Sequence, residues 1–149
     1  MQPIQNIFPL LGQSPKKVII TTHQKPDADA LGSSLGLYHI LIQLGHDVNV
    51  ISPTNWASFF NWMPGCKKII DYEQQTEKCN ALINEADWLF CLDFNTLSRT
   101  KNMAEMLKKG KLYPDKLLWR VMADSAQVID GHYDMAVAFL EGGSTYYIH

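Results

Sequence analysis

Apolar positions along this chain switch repeatedly between a strand-like and a helix-like period. Lys17-Val-Ile-Ile-Thr-Thr22 is a short β-branched run after Ser14-Pro15 and predicts a buried strand. Residues 29–44 place Leu31, Leu35, Tyr38 and Ile42 near helical spacing, with Gly45 where a C-terminal cap belongs. Asp47-Val-Asn-Val-Ile51 predicts a second strand. Residues 56–63 form a short aromatic-rich helix or loop stopped by Pro64-Gly65, and Lys68-Ile-Ile70 is a candidate third strand. Residues 73–85 are helical in composition. Trp88-Leu-Phe-Cys-Leu92 is apolar without alternation, which predicts a strand buried on both faces and ending at Asp93. Residues 98–109 predict a helix closed by Gly110, and 117–122 a fifth strand. Further on, Gly142-Gly143 could turn a hairpin between 136–140 and 145–148.

Strands alternating with helices predict an α/β fold: a doubly wound, mainly parallel sheet with helices on both faces. No linker marks a second unit, so residues 1–149 read as one domain. Ligands of such sheets bind beyond the carboxyl ends of the strands. The segment from His23 to Asp29 follows the first strand directly, and Asp93 ends another. These acidic groups are therefore expected on one edge of the sheet although they are far apart in sequence.

Composition narrows the partners. A formal net charge of −2 gives no electrostatic case for gripping long nucleic acid by its backbone. Cys66, Cys79 and Cys91 are odd in number and lack CxxC spacing, which argues against a disulfide framework or a zinc knuckle. Reduced thiols suit a cytoplasmic location. No stretch approaches the ~20 apolar residues that span a bilayer, and the N-terminus does not read as a secretory signal.

The chemistry sits in Thr22-His23-Gln24-Lys25-Pro26-Asp27-Ala28-Asp29-Ala30-Leu31-Gly32-Ser33-Ser34. Pro26 is expected to hold the backbone before it extended. Taken singly, each polar group has an ordinary reading. Asp29 would cap the helix, Asp27 would be solvated, His23 would be a hydrogen-bonded loop residue, and Asp93 would cap the next turn. Together, His-x-x-x-Asp-x-Asp after one strand and Asp at the end of another point to a metal site. Imidazole plus carboxylates suits Mn²⁺, Mg²⁺ or Fe²⁺. Two such ions can clamp the attacking and leaving oxygens of a phosphoryl displacement, with Asp93 as a natural bridge. Gly32 and the helix N-terminus offer backbone N–H groups to a phosphate. The cluster Trp56, Phe59, Phe60 and Trp62 could stack on bases, although such clusters more often serve a core or an interface. His39 and His46 read as surface residues.

The segment His23-Gln-Lys-Pro-Asp27-Ala-Asp29-Ala-Leu-Gly32-Ser33 resembles the first motif of the DHH phosphoesterases. Leu92-Asp93-Phe94-Asn95, with Ser98-Arg99 following, resembles the second. The likeness is to the branch of bifunctional oligoribonucleases and 3′-phosphoadenosine-5′-phosphate phosphatases, and it covers roughly residues 14–110. The resemblance implies a metal-dependent hydrolase acting on phosphate esters of short oligonucleotides or nucleotides. It implies a Mn²⁺ (or Mg²⁺) pair and catalytic roles for Asp27, Asp29 and Asp93. His23, Asp27 and Asp93 would hold one ion, with Asp29 and Asp93 contributing to the other. Gly32, Ser33, Asn95, Arg99 and His132 would lie on the substrate side, although Arg99 could equally pair structurally. A membrane partner is not implied, and a homodimer is left open.

The chain departs from that family after residue 110. The Asp-His-His triplet that gives the family its name is absent. Met122-Ala-Asp124-Ser125-Ala126 stands where it belongs by position, and Ile129-Asp130-Gly131-His132 is the other candidate. Asp134 is the nearest candidate for the fourth motif, and Gly142-Gly143 is a poor echo of the glycine-rich motif of the family's second domain. The expectation is a DHH-type catalytic domain with residues 110–149 divergent or truncated. The alternative is a non-catalytic module that binds metal or nucleotide.

Overall fold

The computed structural model describes residues 8–94, 96–109, 136–140 and 144–148. The expected strand at 117–122, both candidate third motifs, Asp134 and the Gly142-Gly143 turn lie outside the described residues. A short helix, α1 (Phe8–Leu11), leads into β1 (Lys17–Thr21), α2 (Ala28–Gln43), β2 (Asp47–Ser52), β3 (Ile70–Asp71), α3 (Thr76–Glu85) and β4 (Trp88–Leu92). After α4 (Ala104–Lys109) come β5 (Ala136–Leu140) and β6 (Ser144–Ile148). The sheet order is β3-β2-β1-β4-β5-β6. The first four strands are parallel, and β5 and β6 add antiparallel at the β4 side.

Strand alternation explains the two-sided core. Val18, Ile20, Val50, Trp88, Phe90 and Leu92 point to one face and pack with Leu31, Leu35, Tyr38 and Leu41 of α2. Ile19, Ile51, Leu89 and Cys91 point to the other and pack with Cys79 and Ile83 of α3 and with Met103 and Leu107. Helical residues thus cover both faces of the parallel strands, as the unbroken apolar run of β4 requires. Each of these large side chains contributes roughly 1.5–3 kcal/mol by leaving water. Cys91 is fully buried, as expected, and burial pushes its thiol pKa well up.

The ends of α2 follow local chemistry. Asp27, rather than Asp29, is the N-cap: its carboxylate accepts the backbone N–H groups of Asp29 and Ala30. At the other end Gly45 is left-handed (φ 89°). The His46 N–H reaches the Leu41 carbonyl and the Gly45 N–H the Ile42 carbonyl, which is a Schellman closure. That closure carries His46 inward, against the surface position expected of it. His46 is buried against Trp88 with ring centroids 4.9 Å apart. His39 is half-buried, with Nε2 3.0 Å from the Pro64 carbonyl.

Three elements differ from expectation: the helix expected from residue 73 begins at Thr76. The third strand begins at Ile70 and has two residues. The helix expected over 98–109 is a 3-10 segment, Leu97–Met103, followed by α4. The break is Lys101, whose backbone is left-handed (φ 53°, ψ −124°) and whose ammonium meets Glu73 at 3.1 Å.

Candidate metal centre

Strand order reverses between β1 and β4, because β2 lies on one side of β1 and β4 on the other. The crevice beyond the carboxyl ends of two such strands is where doubly wound sheets bind ligands. The register pairs Ile20 with Phe90 and Thr21 with Cys91. Continued by two residues, it sets His23 opposite Asp93. The side chains meet there: His23 Nε2 lies 3.2 Å from Asp93 Oδ2 and 3.8 Å from Asp27 Oδ2. One ligand atom from each of His23, Asp27 and Asp93 falls within 4.8 Å of the others.

The backbone aims these groups. Asp93 is left-handed (φ 60°), which turns its side chain out of the strand's pleat. Asp27 divides its carboxylate: Oδ1 caps α2, and Oδ2 faces His23. The His23 ring is 4% exposed as a residue, and its Nδ1–H donates to the Gln24 carbonyl at 2.8 Å. That bond leaves Nε2 with a lone pair directed at two carboxylates. In the neutral ring, Nε2 and Asp93 Oδ2 are then two acceptors 3.2 Å apart, a pairing that a proton or a shared cation relieves.

Electrostatics agree. Burial holds the Asp93 carboxyl above the usual carboxylate range, and the charges of Asp27 and Asp29 push the same way against His23. A half-buried carboxylate crowded by two others is a place of negative potential. The donor set of one imidazole and two carboxylates fits a hard or borderline divalent ion. Adjacent ligands on an octahedral ion with ~2.1 Å bonds lie ~3 Å apart, close to the His23–Asp93 spacing.

The other expected site residues are placed as follows. Asp29 is exposed in the first turn of α2 and stays outside the three-residue cluster. Gly32 is exposed, and a Cβ added there would meet no atom within 4 Å. Ser33 is exposed and its hydroxyl donates to the Ala30 carbonyl at 3.2 Å. Arg99 is exposed, and its backbone carbonyl accepts the Gln24 N–H at 2.7 Å. Asn95 and His132 lie outside the described residues. Of the aromatic cluster, Trp56 and Phe60 pack partly against the core, whereas Phe59 and Trp62 are 69% and 75% exposed.

Two supports of the metal loop, the Arg99 carbonyl on Gln24 and the Thr54 hydroxyl on Lys25, had no sequence signal. The Lys25 N–H donates to Thr54 Oγ1 at 2.7 Å. Lys25 itself is left-handed (φ 50°), which overturns the extended backbone expected before Pro26. The contacts that impose this conformation come from the loops after β2 and β4, which local sequence does not reveal.

Comparison with known proteins follows the same lines. Residues 17–113 match the DHH family, N-terminal domain. A crystal structure of an exopolyphosphatase-related protein from Bacteroides fragilis superposes with a TM-score of 0.68 at 42% identity. The match covers 71% of this chain and 31% of that one, so the chain spans about a third of the length of that protein. No functionally curated protein gives a significant match. The family match includes the whole parallel sheet and both motifs at its carboxyl edge, and the chain belongs to the DHH family, a family of phosphoesterases that use divalent metals.

Proposed function

We propose that this chain carries the metal-binding part of a Mn²⁺- or Mg²⁺-dependent phosphoesterase that hydrolyses phosphate esters of short oligonucleotides or nucleotides. The observation that carries this reading is the meeting of His23, Asp27 and Asp93 at the reversal of strand order. These three would hold one ion. Asp29, across the same loop, would serve a second with Asp93. A bound divalent ion supplies charge neutralisation for the attacking and leaving oxygens of a phosphoryl displacement. His23 presents a fixed lone pair, and the N-terminus of α2 presents its positive end to the phosphate. Gly32 leaves open space beside that turn, Ser33 and Arg99 are exposed near it, and Asn95 and His132 remain candidates by motif.

The nucleotide part of the proposal has a separate support. Phe59 and Trp62 are exposed on the loop that follows β2, and Thr54 of that loop is bonded to the metal loop. Exposed aromatic faces give stacking platforms worth about 1–3 kcal/mol per base.

A second reading, a non-catalytic metal-binding module, is favoured by the lack of an Asp-His-His triplet anywhere in the sequence. The same lack makes us expect nearer one ion per chain than two, and slow turnover. The test is release from a small activated phosphodiester, from di- to pentanucleotides and from linear polyphosphate, each with Mn²⁺. Asp27→Asn is the control, because Asn keeps the helix cap while removing the charge. Mn²⁺-dependent cleavage of the phosphodiester that disappears in Asp27→Asn supports the enzyme. Tight Mn²⁺ binding with no turnover on any substrate establishes the non-catalytic reading. Preference for polyphosphate over oligonucleotides replaces the nucleotide assignment.

A further inference from the structure

We propose that Thr54 is a positioning residue for the candidate metal centre, fixing the Gln24–Lys25 peptide and through it the tautomer and aim of His23. The inference rests on reading His23 as a ligand. A peptide unit is planar, so the carbonyl of one residue and the N–H of the next move as one rigid body. The Gln24 carbonyl accepts His23 Nδ1–H at 2.8 Å, and the N–H on the other end of that same plane, that of Lys25, donates to Thr54 Oγ1 at 2.7 Å. Rotation of the plane would therefore break both bonds together. The Gln24 N–H, on the preceding plane, is held by the Arg99 carbonyl at 2.7 Å. The metal loop is thus pinned from β2's side by a side chain and from β4's side by a backbone oxygen.

The pinning is needed. Lys25 is a non-glycine residue at φ 50° directly before a proline. Left-handed backbone is disfavoured for an L-residue because Cβ crowds the following carbonyl, and the proline ring disfavours compact backbone in the residue before it. Left alone, this segment would relax toward an extended conformation and carry the Gln24 carbonyl away from His23. The ring would then lose the bond that places its proton on Nδ1.

Thr54 is built to hold the plane. It is buried just beyond the end of β2, its carbonyl accepts the Ser52 hydroxyl at 2.6 Å, and its own hydroxyl proton goes to the Asn55 carbonyl at 3.2 Å. With that proton committed, the Oγ1 lone pairs are left to accept from Lys25. Partners that orient a metal-bound histidine are commonly worth about 10–100-fold in metal affinity. Thr54 acts one bond further out, so the lower figure applies.

The experiment compares Thr54→Val, which keeps shape and removes the acceptor, with Thr54→Ser, which keeps the acceptor. In metal-free protein, long-range ¹H–¹⁵N correlations report the His23 tautomer, and calorimetric titration reports Mn²⁺ affinity. Expected is a dominant Nδ1–H tautomer in wild type and Thr54→Ser, a mixture in Thr54→Val, and about 10-fold weaker Mn²⁺ binding in Thr54→Val alone. A Thr54→Val protein with wild-type tautomer and affinity would overturn the proposal, whatever its melting temperature. Hydrogen exchange of the Lys25 amide in wild type decides the matter if Thr54→Val does not fold. Slow exchange is expected, and exchange at the rate of an open loop amide overturns the assignment. A wild type that binds no Mn²⁺ would overturn the metal reading itself, whereas the tautomer comparison still judges Thr54.

Discussion

Two histidines are buried to the same degree at opposite ends of this sheet, His23 at 4% exposure and His46 at 6%. Their ring nitrogens are used differently. At the amino end, His46 Nδ1 accepts the Lys16 N–H at 3.1 Å and Nε2–H donates to the Leu11 carbonyl at 2.7 Å. Both nitrogens have partners of the opposite polarity, and the ring lies on Trp88. It is a complete structural clamp between α1, the start of β1 and the α2–β2 turn. At the carboxyl end, His23 has one nitrogen satisfied by Gln24 and the other aimed at two carboxylates. Burial does not separate a structural histidine from a functional one. What separates them is whether the hydrogen-bond account closes within the protein.

The comparison breaks most readily through metal binding. His23→Ala is expected to lower Mn²⁺ affinity by about 100-fold or more, since it removes a ligand rather than an outer partner. The melting temperature should fall less than in His46→Ala, because removing the ring orphans one carbonyl, that of Gln24, and also removes the unrelieved approach of Nε2 to the Asp93 carboxylate. His46→Ala should do the reverse. It removes a buried ring and orphans the Lys16 N–H and the Leu11 carbonyl, at a cost of about 3 kcal/mol. Its Mn²⁺ affinity should match wild type. Urea unfolding and calorimetric titration on both variants check the pair, and equal effects on both quantities in either variant would erase the distinction.

What was legible in the sequence was local. β1, β2, β4 and α2 each announce themselves through apolar period, and the positions of His23, Asp27 and Asp93 at one sheet edge follow from that order. The helix cap lies two residues before the aspartate expected to hold it, because Asp27 and Asp29 are chemically identical and only the backbone (φ −89°, ψ −170° at Asp27) distinguishes them. The break at Lys101 has no glycine or proline to mark it, and the partner its ammonium meets, Glu73, is 28 residues away. The inward turn of His46 depends on the Schellman closure carrying it over Trp88, a residue on another strand. Thr54 shows the same limit: Ser52-Pro53-Thr54-Asn55 has no signature, and its role exists only because two loops meet.

The smallest expected effect concerns Asp93, the carboxylate that completes the His23 side of the comparison. Asp93 occupies left-handed backbone, which Asn tolerates and Ala does not. Asp93→Asn therefore tests the charge alone, while Asp93→Ala adds a backbone cost of about 1 kcal/mol. Because burial and the neighbouring carboxylates raise the Asp93 pKa, ionising it opposes folding when no cation is present. The sign follows from linkage: a carboxyl that binds its proton more tightly in the folded state loses stability as pH rises past its unfolded value. In chelator-treated protein near neutral pH, Asp93→Asn should thus match or modestly exceed wild type in melting temperature, solvent screening of this half-buried group keeping the difference small. That advantage should fade below about pH 4, where the carboxyl is protonated in both states. Adding Mn²⁺ should reverse the order, raising the melting temperature of wild type and leaving Asp93→Asn unmoved. A wild type that is the more stable protein without metal would show that His23 and Asp93 form a closed ion pair, and that this end of the sheet resembles the His46 clamp after all.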